Sequence, residues 1–178
     1  MDTPFALRES SNEITAVCRA VEAVLANVPA LAGFDVRVEV LENFDGLPEA
    51  ATSQSTRTSP AVYRQSNKTI YVYRSIFFRL SEAAQQGTLG HEIGHAIIQR
   101  DSPLERFAAY TRFGNAGEEF LADRLACQWG LYDGLREERL SSYGKSYVAV
   151  LDKWRDESKY LDEIVAWHTL RLAGLGSD

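Results

Sequence analysis

The chain has 178 residues, of which 45% are hydrophobic and 25% charged, and carries a formal net charge of −6. That length buries one core without cross-links, so a single domain over residues 1–178 is expected. The acidic balance, with no cluster of Lys and Arg, excludes a broad nucleic-acid surface, which must neutralise phosphates.

At the N-terminus Arg8, Glu9 and Glu13 interrupt the apolar residues, which does not read as a secretion signal. Ser10 and Glu13 have the spacing of a capping box, and Ile14, Val17, Cys18, Val21, Val24 and Leu25 recur at helical intervals. A first helix is expected over about Asn12–Asn27, stopped by Pro29 and Gly33. Phe34, Val36, Val38 and Val40 then alternate with Asp35, Arg37 and Glu39, the period of a half-buried strand. Residues 43–60 lack any apolar period and read as a flexible loop. Ala61–Arg64 and Thr69–Arg74 read as two strands joined by the turn-forming Gln65-Ser66-Asn67-Lys68, and Ser75–Leu80 as a helical turn.

The next helix, capped by Ser81 or Thr88 and running through Arg100, carries His91-Glu92-Ile93-Gly94-His95. Residues four apart share a helix face, so the two imidazoles can aim at one cation while Glu92 projects beside them. Zinc takes neutral imidazoles and keeps a position open for water, and a neighbouring Glu can take that water's proton. Zn2+ is therefore the expected cofactor, with His91 and His95 as ligands and Glu92 as general base. Gly87, Gly90 and Gly94 are unfavourable in a helix interior and point to close packing, with Gly94 admitting another backbone beside the metal.

A third ligand must come from elsewhere in the chain. Asp101 and His168 are candidates. So are Glu118 and Glu119, on a helix expected over about Ala116–Leu131, ended by Gly130 and Gly134. Glu119 is favoured: it shares a face with Asp123, which can hold a ligand imidazole, whereas Glu118 points about a hundred degrees away. The bland alternative is a solvated acidic first turn favoured by the helix dipole. Two further helices are expected, at about Lys145–Asp156 and Lys159–Ala173. The element order gives an α+β domain.

Nowhere is there the ~20-residue uncharged apolar run of a membrane span. Cys18 and Cys127, in predicted helices with apolar neighbours, read as buried thiols, and the expected location is cytoplasmic.

The H-E-x-G-H run followed by a helix bearing Glu119 resembles the gluzincin clan of zinc peptidases. Over about Thr69–Leu131 it is most similar to the small ImmA/IrrE-type proteases, while Glu119-Phe120-Leu121-Ala122-Asp123 resembles the E-x-x-A-D signature of HtpX-type membrane peptidases. The resemblance implies a minimal zincin-like domain, with a small mostly antiparallel sheet packed on the H-E-x-x-H helix and the Glu-bearing helix. It implies a soluble zinc endopeptidase acting on a protein or peptide substrate, which would add as a strand along Thr69–Arg74. A regulatory protein partner fits the same picture. Tyr143, Tyr147 and His168 are candidates for stabilising the oxyanion. The competing readings are a metalloprotease-like binding module without turnover and a non-peptide amide hydrolase.

Overall fold

A computed structural model describes residues 4–28, 31, 34–42, 59–101, 107, 110–111 and 116–156. Most of the 43–60 loop, the helix expected at Lys159–Ala173 and His168 lie outside the described residues. In chain order the elements are α1 (Pro4–Ala26), β1 (Arg37–Leu41), β2 (Ala61–Arg64), β3 (Thr69–Tyr73), α2 (Arg74–Phe77), α3 (Glu82–Asp101), α4 (Ala116–Gln128), α5 (Tyr132–Ser142) and α6 (Lys145–Asp156). The fold is α+β, as the sequence implies. No described helix is long and apolar enough to cross a membrane. Cys18 and Cys127 are half-buried and form no disulfide.

The sheet is mixed, not mostly antiparallel. β3 lies in the centre, with β1 parallel on one side and β2 antiparallel on the other. The short turn fixes the β2–β3 pairing, with Lys68 in the left-handed region at φ 55°. Nothing local fixes the neighbour of β1, because alternation tells which face is buried and not which strand lies alongside. The consequence for function is direct. Thr69–Tyr73 has both edges covered and cannot accept an added strand, so the substrate site expected there is excluded; the edge strands of the described sheet are β1 and β2.

α1 begins at Pro4, earlier than the capping-box reading, which is corrected by local propensity. Proline suits a first helical position, and Ala6, Leu7, Arg8 and Glu9 are good helix formers, so the chain has no reason to wait for Ser10. Ser81, not Thr88, caps α3: its Oγ accepts the Ala84 N–H at 3.2 Å, whereas Thr88 lies inside the helix and donates to Ala84 O at 2.9 Å. α4 ends in paired bonds from Leu131 N to Ala126 O and Gly130 N to Cys127 O, both 3.0 Å, around Gly130 at φ +80°.

The sheet's apolar face, Ala61, Ile70 and Val72, meets Val17, Val21 and Val24 of α1, Phe77 of α2, and Leu89 and Ile93 of α3. Full burial of such side chains contributes about 1.5–3 kcal/mol each. α5 was not legible in the sequence, since Gly134 read as a stop. Gly134 instead lies within α5 at the crossing with α3, where a Cβ would sit 1.9 Å from Ala83 O and one on Gly87 would sit 2.3 Å from Leu135 N. Two backbones touch there, which only glycine permits.

Candidate metal centre

His91 and His95 lie about 200° around α3 from Leu89 and Ile93, so packing of the apolar pair on the sheet turns the imidazoles toward α4. α4 runs antiparallel to α3 at close range. A Cβ on Gly94 would stand 3.0 Å from Ala122 Cα and 3.1 Å from its carbonyl oxygen, so Gly94 does admit a second backbone. That approach puts the carboxylates of α4 within reach of both histidines.

Three ligand atoms converge. His91 Nε2 and His95 Nε2 are 3.0 Å apart, and the oxygens of Glu119 lie 3.3 Å from His91 Nε2 and 3.5 Å from His95 Nε2. Tetrahedral ligands about 2.0–2.1 Å from a zinc ion stand about 3.3 Å from one another, close to the separations here, although the two imidazoles meet different oxygens of Glu119. The fit has a second support. Two imidazole lone pairs at 3.0 Å repel unless a cation lies between them, either a shared proton or a metal. Glu119 is 53% exposed while His91 is nearly enclosed at 4%, so the centre opens to solvent on the Glu119 side, as a site that admits water and substrate must.

Each imidazole has a carboxylate on its far nitrogen. His91 Nδ1 is 2.7 Å from Asp123 Oδ1, and His95 Nδ1 is 3.3 Å from Glu118 Oε1. A carboxylate beside Nδ1 favours the tautomer protonated there, which leaves Nε2 able to meet a metal. Asp123 faces the imidazole of His91, a position its spacing allowed. Glu118 does not point away: it faces His95 and also accepts from Gln99 Nε2 at 2.6 Å. In an antiparallel pair, one turn forward on α3 corresponds to one turn back on α4. The residues facing His95 are thus those before Asp123, and that rule could have found Glu118. Asp101 and His168, the other candidates for the third ligand, have no described side chain.

Electrostatics follow from this geometry. Burial lowers the affinity of His95 for a proton, but the hydrogen bonds to Glu118 and Glu119 outweigh it and raise its pKa to about 10. Burial and Arg139 act the same way on His91, and Asp123 outweighs them, so its pKa is raised too. Against their own desolvation, Glu119 is held well below the usual carboxylate range by the two imidazoles, and Asp123 by Arg139 and His91. The metal-free centre therefore keeps a proton where a divalent cation would fit.

Glu92 is buried, and its Oε2 accepts the Tyr63 backbone N–H of β2 at 2.7 Å. Burial raises its pKa, and His91 and His95 oppose that rise without cancelling it. Glu92 thus stands between the metal helix and the outer edge of β2.

No protein-family model, curated protein or solved structure matches this chain. What the site can do is read from its own atoms.

The sequence reading missed the layer behind the ligands. Arg139 Nη2 donates to Asp123 Oδ1 at 2.8 Å, and Tyr147 OH donates to Asp123 Oδ2 at 2.7 Å. Tyr147 is therefore committed to the far side of the metal ligands and is not placed to meet an oxyanion. Tyr143 stacks on Tyr147 with ring centroids 5.1 Å apart, is 38% exposed, and has no hydrogen bond to its hydroxyl among the described residues.

Proposed function

We propose that this chain is a zinc-dependent peptidase of the gluzincin type, with His91, His95 and Glu119 holding the metal and Glu92 handling the proton. The supporting observation is the convergence of Nε2, Nε2 and a carboxylate oxygen at tetrahedral separations, open to solvent and flanked by a buried carboxylate. Zinc held there supplies a Lewis acid that acidifies water and polarises a carbonyl. Glu92, pinned through Oε2 to Tyr63 N–H, has its other oxygen to take a proton from water and return it to the departing amine. Burial raises its pKa, which favours holding the proton before it is passed on.

The substrate reading moves with the sheet. β1 and β2, not β3, are the edge strands, and the outer edge of β2 meets the site at Tyr63. A peptide passing beside β2, where Glu92 already holds the Tyr63 N–H and Ser59 the Ala61 carbonyl, would bring a carbonyl toward Glu92 and the metal point without pairing to those two groups. Tyr143, stacked on Tyr147 and 38% exposed, is the remaining described candidate to donate to the carbonyl oxygen as charge develops there.

The test joins metal analysis of the purified chain, with anomalous diffraction at the zinc edge, to mass-spectrometric detection of cleavage in a peptide library. We expect a single zinc at His91, His95 and Glu119, lost in His91→Ala and in His95→Ala. Glu92→Gln should retain the zinc and abolish cleavage. Cleavage by Glu92→Gln at the wild-type rate would sink the mechanism.

A further inference from the structure

Asp123 of α4 faces polar groups from three other helices. His91 of α3 and Arg139 of α5 share its Oδ1, at 2.7 Å and 2.8 Å, and Tyr147 of α6 holds its Oδ2 at 2.7 Å. The other arm of the Arg139 guanidinium donates to Glu138 Oε2 at 2.7 Å, and Ser142 donates to Glu138 Oε1 at 2.6 Å. The rings of Tyr143 and Tyr147 lie against the guanidinium, 5.4 Å and 5.8 Å from its central carbon. Asp123 and Arg139 are buried, and Glu138 is fully so at 0% exposure.

Taking two carboxylates and a guanidinium out of water carries a desolvation cost that apolar residues of the same volume would avoid. A buried charge network is a poor device for stability and a good one for holding an atom in place. The atom held here is Asp123 Oδ1. Arg139 and His91 draw on the same oxygen, so the guanidinium governs how much negative charge Asp123 presents to the imidazole. Without it, Asp123 would face Glu138 as an unneutralised like charge and turn from His91 or pull harder on its Nδ1 proton.

We propose that Arg139, aided by Tyr147, is a positioning residue of the metal centre. It sets the Asp123 carboxylate, and Asp123 sets the His91 ring with Nδ1–H inward and Nε2 toward the metal. This rests on the reading of His91, His95 and Glu119 as a zinc site, and it concerns neither the substrate nor the reaction. The α5–α6 unit is then part of the metal site, although it supplies no ligand.

The experiment is zinc titration of the full chain against a chromophoric chelator, with ¹⁵N NMR of the histidine rings in the loaded protein. The variants are Arg139→Met, Tyr147→Phe, Asp123→Asn and the double variant Arg139→Met/Asp123→Asn. Arg139→Met should weaken zinc about 10- to 100-fold, the range for residues behind a ligand, and shift the His91 ring nitrogens while those of His95 stay put. Tyr147→Phe should weaken zinc about tenfold or less, the size of one hydrogen bond. Once Asp123 is Asn, Arg139→Met should change nothing more, because its route to the metal is gone.

Wild-type affinity in folded Arg139→Met overturns the proposal, as does an equal loss with and without the Asp123 carboxylate, which would mean that Arg139 acts only on the fold. If Arg139→Met fails to fold, Tyr147→Phe decides, since it removes one hydrogen-bond donor from the same carboxylate; unchanged affinity and an unchanged His91 spectrum there overturn the proposal. A wild-type chain that binds no zinc is a different failure, of the metal-centre reading itself.

Discussion

Toward the sheet, α3 presents Leu89 and Ile93 to a dry apolar cluster with Val17, Val24, Ile70 and Val72. On its other side, His91 and His95 face Glu118, Glu119 and Asp123, and behind these stand Arg139 and Tyr147. The two sides are differently specified. An apolar cluster needs only the right volume on the right face, and conservative exchanges are absorbed there. A polar cluster needs each donor opposite its own acceptor, and losing one member leaves another buried and unpaired. Damage on the sheet side should therefore register as stability, and damage on the α4 side as metal affinity.

The sharpest separation is between Glu119→Ala and Ile93→Ala. Glu119→Ala should abolish tight zinc binding in the chelator assay and destabilise the metal-free protein by less than Ile93→Ala does, through the lost histidine contacts alone. Ile93→Ala should cost about 2–5 kcal/mol in urea unfolding, with zinc stoichiometry intact in the folded fraction. Zinc loss from folded Ile93→Ala would show that the two sides are one cooperative unit.

Next in size is a pH effect confined to the polar side. In the metal-free protein His95 is raised from 6.5 to about 10, so its stabilising contribution is complete below about 6.5 and lost as the pH climbs through about 10. Glu119 and Asp123 are lowered, so theirs is present above the ordinary carboxylate range and lost only as the pH falls through their depressed values. Chelated protein should thus lose stability from pH 6.5 toward pH 10. Zinc must displace the proton held by the histidine pair, so zinc affinity should rise over that interval and offset the loss. Thermal melts with and without zinc across the range test this; parallel curves would mean that the histidines are not the ligands.

Smaller again is Glu118→Ala. Glu118 orients His95 from a contact of 3.3 Å and is partly exposed, so its loss should weaken zinc by less than loss of Asp123, which holds His91 at 2.7 Å in the interior. A reversed order would mean that His95, and not His91, depends more on its carboxylate. The smallest effect is expected from Ile70→Val, about 0.5–1.5 kcal/mol of stability with zinc affinity unchanged.

How much of this was legible follows the same division. His91, Glu92 and His95 could be read because a helix fixes the relation of residues four apart, and Glu119 with Asp123 for the same reason on the next helix. Arg139 could not be read, because Arg136-Glu137-Glu138-Arg139 has the composition of a solvated helix face. Only the fold shows that Glu138 and Arg139 turn inward while Glu137 stays out. α5 was hidden by Gly134, whose cost in helix propensity is offset by a backbone contact with α3 that has no local signature. The parallel seating of β1 against β3 was hidden likewise, since long-range pairing leaves no mark on a strand's own alternation.

The bond from Tyr63 N–H to Glu92 also bears on how this protein behaves in a tube. An open strand edge is a template on which further chains can stack, and natural proteins blunt such edges. On β2 the Tyr63 amide is occupied by Glu92, and the Ala61 carbonyl by the Ser59 hydroxyl at 2.6 Å. Glu92 thus acts as a stopper on an adhesive edge as well as in any chemistry. The two usual ways of silencing such a residue are then not equivalent. Glu92→Gln keeps an oxygen that can accept from Tyr63, whereas Glu92→Ala uncovers the donor and invites self-association at the concentrations needed for crystals or NMR.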